Sequence, residues 1–460
     1  MIARIFARPI LPVLLIVLAS TIVFAALAYF FFFRPPSFAP ILLRGTIVTP
    51  DSVLPQGWIL IKNGHIEAVS EQKPASSGAI EVDTNGIIFP GLIDLHNHVS
   101  WNVFPRWDAG GTFSDPDQWR NTPDYQNKIG LPYNHLIDAG KFCDMNTYGE
   151  LRALVGGVTS ILATASSNCI AGLVRNLDNS SGFYTWPAND SQHIVSDVFF
   201  PQNPQAILNH FQESGFRAYL LHVAEGSDAA ARQQFTQLTS SGLLTAKTVI
   251  VHGSALVDVD FQAMDTAGAS LVWSPRSNVE LYGETTDVRA AINDGVRVAL
   301  APDWAITGSS NLLDEVRYAA DWNANSLDGF LTDQQLVAMV TSVPAAMVGI
   351  DDKVGAIRQG AYADLVVISG DAADPYGAFV QSSAQNVQLV LINGTPIYGD
   401  PDLMAHFWTT SDLVSMSVLG AAKMLRMPQA GDSFDALQQR LSGALSAQNS
   451  PLAPIAEALS

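Results

Sequence analysis

The stretch Phe89-Pro90-Gly91-Leu92-Ile93-Asp94-Leu95-His96-Asn97-His98 decides how the rest of the chain is read. Pro90-Gly91 is turn chemistry, and Leu92 to Leu95 reads as a short apolar strand running into a polar end. Side chains of a strand alternate faces with period two, so His96 and His98 point the same way. Two imidazoles on one face at a strand end can close on one metal ion. A lone His-x-His pair is a weak signal, and its weight comes from partners at later strand ends.

Upstream of this stretch, residues 40–88 read as short strands, with Asn63-Gly64 as a hairpin turn between alternating segments. Downstream, residues 100–137 form a long aromatic segment containing Trp101, Phe104, Trp107, Trp119, Tyr125 and Tyr133. A connection of that length is usually functional, and it leaves directly from the histidine pair, so it reads as a substrate-facing cover. From Ile137 to Ser342 apolar strands alternate with helical pieces. The strands include Val158–Ala163, His193–Phe200, Arg217–His222, Thr248–Gly253, Ser270–Pro275 and Val296–Ala301. Near-continuous apolar strands between helices imply a parallel sheet, and the size of the region matches a (β/α)₈ TIM-like barrel.

Strand C-termini in such a barrel face one mouth. The predicted strands end, in order, at His96-x-His98, His222, His252 and Asp303, with Glu225 three residues beyond His222. Three imidazoles and a carboxylate make a catalytic zinc ligand set that leaves room for water. Strands return at Gly355–Ile357, Ala363–Ile368 and Val387–Gly394. The expected division is therefore 37–88 plus 353–400 as one discontinuous small β-sandwich domain, 89–352 as the barrel, and 401–460 as a helical tail.

The ordered motifs Pro90–His98, His222-Val223-Ala224-Glu225, Val251-His252-Gly253, Ser274-Pro275-Arg276-Ser277-Asn278 and Gly295–Asp303 resemble the metal-dependent amidohydrolase superfamily. They look most like its cytosine deaminase, guanine deaminase and triazine hydrolase branch, over about residues 40–400. The resemblance implies hydrolysis of a non-peptide C–N bond in a small cyclic amide, amidine or heteroaromatic amine through metal-bound hydroxide. It implies a metal held by His96, His98, His222 and Asp303, with zinc preferred to iron. Asp303 would also take the water proton, Glu225 would protonate the ring nitrogen and leaving group, and His252 would stabilise developing charge. Trp101, Arg276, Asn278 and Trp304 are the candidate substrate contacts. Members with two metals bridge them by a carboxylated lysine or a glutamate. Here no lysine lies between Phe142 and Ala246 and no glutamate between Leu151 and Gln212, so one ion per chain is expected. Opening of an imidazolone-like ring or a prolyl-type amide is the alternative hydrolytic reading. A catalytically silent extracytoplasmic binding protein is the alternative of another class, against which stand Glu225 and His252.

Composition bounds the partners. The chain has 43 acidic against 24 basic residues, a formal charge of −19, which argues against nucleic acid. The partner is a small molecule, and self-association is left open. Residues 10–33 are almost wholly apolar, with Arg4 and Arg8 ahead of them. That length and flank predict an N-terminal transmembrane helix within 1–36 and an extracytoplasmic (periplasmic or extracellular) enzyme. Ala26-Leu27-Ala28 offers the alternative of a cleaved signal and a secreted protein. The only cysteines, Cys143 and Cys169, are equally readable as a disulfide or as two buried thiols.

Overall fold

The computed structural model describes residues 39–162, 173–178, 193–427 and 431–457. Eight short parallel strands carry the barrel. β5 (Leu92–Asp94), β6 (Val158–Ile161) and β7 (Arg175–Asn176) form one sheet. β8 (His193–Asp197), β9 (Phe216–Val223), β10 (Thr248–His252), β11 (Ser270–Trp273) and β12 (Arg297–Leu300) form a second. A parallel bridge between Asn97 and Asp303 joins the first strand's extension to that of the last. Apolar side chains on alternate faces explain the pattern. Ile93, Ala218, Leu220, Val249, Val251, Val272 and Ala299 pack in one buried cluster, while Leu92, Tyr219, Leu221, Ile250, Leu271 and Val298 pack in another against the surrounding helices.

A second layer is a single nine-stranded sheet. β1 (Ile41–Val48), β2 (Val53–Lys62), β3 (His65–Ser70) and β4 (Ile80–Pro90) come from before the barrel. β13 (Leu365–Ile368), β14 (Val387–Ile392), β15 (Thr395–Gly399), β16 (Val414–Val418) and β17 (Ala421–Leu425) come from after it. The hydrogen-bonded order is continuous, β16-β17-β15-β14-β13-β4-β1-β2-β3, so the expected sandwich of two sheets is corrected to one sheet. The expected helical tail is corrected too. β16 and β17 extend the sheet before the helix Phe434–Ser446 begins. Their Val-Ser-Met-Ser-Val alternation is a strand period that a helical reading overlooks.

The two layers meet at the stretch quoted first. β4 pairs with β13 up to Pro90, then Gly91 N donates to Asp364 O, and the chain passes into β5. Beside this junction the fully buried Arg175 of β7 forms a bidentate ion pair with Asp364, Nη2 to Oδ1 at 2.9 Å and Nε to Oδ2 at 3.2 Å.

The expected transmembrane helix is withdrawn. No helix among the described residues is long and apolar enough to cross a membrane. Residues 10–33, on which that expectation rested, lie outside the described residues. The membrane contact and the periplasmic or secreted placement drawn from that segment are withdrawn with it. Cys169 also lies outside the described residues.

Candidate metal centre

Four of the eight strands deliver the groups at their C-terminal ends. His96 and His98 follow β5, His222 lies in β9, His252 ends β10, and Asp303 follows β12. Donor atoms converge in three overlapping groups, each within 4.8 Å: His96, His98 and His222; His96, His252 and Asp303; His222, Glu225 and His252. Asp303 Oδ1 lies 3.0 Å from His96 Nε2 and 3.3 Å from His98 Nε2.

The backbone is bent to do this. Ala224, His252 and Asp303 take φ of 56°, 68° and 65°, the left-handed region that non-glycine residues seldom occupy. Such strain costs about 1–3 kcal/mol per residue and persists where neighbours enforce it. Here those neighbours are identifiable. Asp303 N donates to His96 O and His98 N to Asp303 O, at 3.2 and 2.8 Å. Thr286 Oγ1 donates to His252 O at 2.5 Å.

A set of outer hydrogen bonds aims the side chains. Asp94 accepts from His96 N at 3.1 Å and from Asn97 Nδ2 at 2.8 Å, and Asn97 Oδ1 accepts from Asn102 Nδ2 at 2.8 Å. His222 Nδ1 lies 3.3 Å from Asp197 O, which leaves Nε2 for the centre. His252 Nδ1 donates to Asn278 Oδ1 at 2.9 Å, and Ser277 Oγ donates to Asp303 Oδ2 at 2.5 Å.

Electrostatics follow from burial. Desolvation holds His96 down at about 4, lowers His98, and holds His222 well below the usual imidazole value. Burial alone would raise Asp303, but the imidazoles of His96, His252 and His98 overcome it and hold the carboxyl far below the usual range. Burial thus disfavours the protonated form of these three imidazoles, and Asp303 stands among them as a carboxylate. The Nε2 atoms of His96 and His222 are buried without a hydrogen-bond partner. Buried polar atoms are almost always satisfied, so two orphaned imidazole nitrogens facing a carboxylate fit a divalent cation.

Glu225 points into the same space. Its Oε1 accepts from Tyr282 OH at 2.6 Å, and its Oε2 lies 3.9 Å from His252 Nε2. Trp119 Nε1 donates to the Tyr282 oxygen at 3.1 Å. A cavity of about 400 Å³ opens over His98, Glu225, His252 and Asp303, walled by Trp101, Trp119, Tyr125 and Trp304. Trp101 and Trp304 therefore sit where a substrate contact was expected. Asn278 is fully buried and holds His252 instead. Arg276 does not reach the cavity; it lies in a separate surface groove with Arg317, Tyr318 and Trp322. The reason is local. Pro275–Tyr282 is a helix opening on its proline, and successive residues turn by about 100°, so Ser277 and Asn278 face inward while Arg276 faces out. Tyr282 and Trp119 were absent from the candidates. Their only sequence signal is that Trp119 falls in the aromatic cover and Tyr282 ends the helix that begins at the strand-end motif.

The family model described as "Amidohydrolase family" matches residues 206–397. A 5-methylthioadenosine/S-adenosylhomocysteine deaminase of Pyrococcus furiosus is 32% identical over 367 residues, covering 72% of this chain and 86% of its own. The enzyme of that name from Caldicellulosiruptor saccharolyticus is 23% identical, covering 79% and 94%. A solved adenosine deaminase from Xanthomonas campestris with bound zinc superposes with a TM-score of 0.64 at 16% identity, covering 90% of this chain and 100% of that one.

Proposed function

The chain belongs to the amidohydrolase family, whose members are metal-dependent, and from that premise we propose a mononuclear deaminase-like reaction with named roles for its residues. It is a hydrolase of carbon–nitrogen bonds other than peptide bonds, acting on small molecules. His96, His98, His222 and Asp303 would hold one divalent ion, zinc in preference to iron. When bound, that ion supplies Lewis-acid polarisation, which makes hydroxide available near neutral pH.

The remaining work falls to side chains. Asp303 is ionised, with Oδ2 fixed by Ser277, and takes the proton of the attacking water. His252 is anchored through Nδ1 and presents Nε2, which hydrogen-bonds the attacking oxygen as charge develops. Glu225 gives one proton to the ring nitrogen, takes up the remaining proton of the adduct's hydroxyl and passes it to the departing nitrogen. The proton taken by Asp303 restores Glu225, so that both protons of the water are accounted for. Oxygen from water ends on the carbon, and the amine leaves as ammonia. The Trp101, Trp119, Tyr125 and Trp304 walls receive the flat face of a heteroaromatic amine and exclude water from the reacting edge.

The observation that carries this reading is the convergence of the ligand side chains in overlapping groups, with His98, Asp303 and Glu225 lining one aromatic cavity. The test is ammonia release by metal-loaded protein from a panel of heteroaromatic amines, adenine nucleosides included. Turnover should fall by about 10²–10⁴ in Glu225→Gln. Unchanged turnover in that variant contradicts the mechanism.

A further inference from the structure

We infer that the substrate ring carries a carboxylate on the edge remote from the reacting carbon, and that Arg120 receives it. The inference rests on the hydrolase reading above. Arg120 ends the helix Pro116–Arg120 in the aromatic cover and lines the same cavity as His98, Glu225 and Asp303. It is the only Lys or Arg among the described residues lining that cavity. Its guanidinium lies over the Trp119 ring at 5.0 Å and over the Phe199 ring at 5.4 Å. Among the described residues it has neither a hydrogen bond nor an ion pair. The neighbouring cations are spoken for: Lys128 pairs with Asp124 at 3.0 Å and Arg106 with Glu280 at 2.8 Å.

Four physical points turn this into a substrate class. A guanidinium stays charged at any ordinary pH, and its planar fork matches the two oxygens of a carboxylate. Aromatic faces on Trp119 and Phe199 hold the plane of Arg120 before any ligand arrives, which lowers the ordering cost of recognition. Phe199 is itself 70% exposed at the cavity rim, an apolar surface left open beside the cation. The chain carries a formal charge of −19, so its general field repels anions and a local cation is needed to admit one. Orientation follows as well. Glu225 repels a carboxylate placed beside it, so the anionic edge faces Arg120 and the amine edge faces Glu225.

The test uses the full chain and two probes: an aminopyrimidine carboxylate and the matching hydroxymethyl aminopyrimidine. Binding is read by tryptophan fluorescence, since Trp101, Trp119 and Trp304 line the cavity. The carboxylate should bind about tenfold tighter or more. That ratio should fall to about one in Arg120→Gln and be partly kept in Arg120→Lys. Equal affinities in the unaltered protein, a ratio unchanged in Arg120→Gln, or no binding of either probe overturns the inference. Ammonia release is followed in parallel with metal-loaded protein. A charge preference without turnover leaves Arg120 recognition standing and counts against the hydrolase reading. Turnover without a charge preference does the reverse.

Discussion

Tyr282 donates to Glu225 Oε1 across 2.6 Å and is itself held by Trp119 Nε1 at 3.1 Å. Burial first, then the Glu225 charge, pushes the Tyr282 phenol well above its usual value, so it remains a donor at any working pH. One carboxylate oxygen is thereby fixed and the other is left toward the cavity. Tyr282→Phe should lower kcat about 10–100-fold with a smaller change in KM, because it disorders the proton carrier and removes no binding wall. Trp119→Phe should lower kcat less and raise KM, since Trp119 also lines the cavity. Steady-state kinetics on any turned-over amine check both. Equal effects on kcat and KM in Tyr282→Phe would contradict the positioning role.

Removing the ion should cost stability as well as activity. Without it, two buried imidazole nitrogens lack partners and a buried carboxylate loses its counter-charge. Chelation should lower Tm, and zinc should restore it by mass action, about 4 kcal/mol at a thousandfold excess over Kd. His222→Ala should abolish the zinc-dependent shift in a melting curve. A Tm insensitive to chelator would argue that the centre does not hold metal.

Glu315 supplies a pH dependence separate from catalysis. It is fully buried on the helix Leu312–Ser326, and desolvation lifts its pKa from 4.5 to about 7. The folded state therefore binds this proton more tightly than the unfolded state. Its contribution is complete below the unfolded value and is lost as pH rises through about 7. The loss amounts to about 3 kcal/mol. Glu315→Gln should raise Tm relative to the parent at alkaline pH and change it little in acid. A larger benefit in acid would reverse the sign and refute this account.

Gly149 marks where the helix Phe142–Val155 presses on the segment leaving His98. A Cβ there would lie 2.0 Å from Val99 O, a backbone atom that cannot rotate away. Gly149→Ala should destabilise by about 1–3 kcal/mol and weaken zinc binding, because Val99 follows a ligand directly. Denaturant midpoints and zinc titration measure the two effects. Parent-like values for both would show that this contact does not support the site.

Much of the centre was legible because its parts sit where apolar runs stop. His96, His98, His222, His252 and Asp303 each close or follow a buried strand, and a parallel sheet brings such ends to one mouth. What stayed hidden depends on rotation and long-range closure. Arg276 and Asn278 are two positions apart, yet the helix beginning at Pro275 turns one outward and the other inward. Trp119 and Tyr282 meet across 163 positions, and nothing local distinguishes either from an ordinary core aromatic. The strand Ala421–Leu425 is hard to read because Ala421-Ala422-Lys423 shows no apolar alternation, which also hides the clear period of its partner Val414–Val418. The apolar N-terminal run was read as a membrane span by its length, but no helix among the described residues is one that could cross a membrane.

The most direct test of the central claim is the metal content of the full chain, purified without chelator and measured by elemental analysis. The account predicts about one zinc or iron per chain, falling toward zero in His96→Ala and in Asp303→Asn. Two ions per chain would contradict the single-ion centre, and none after reconstitution with zinc would contradict the hydrolase itself.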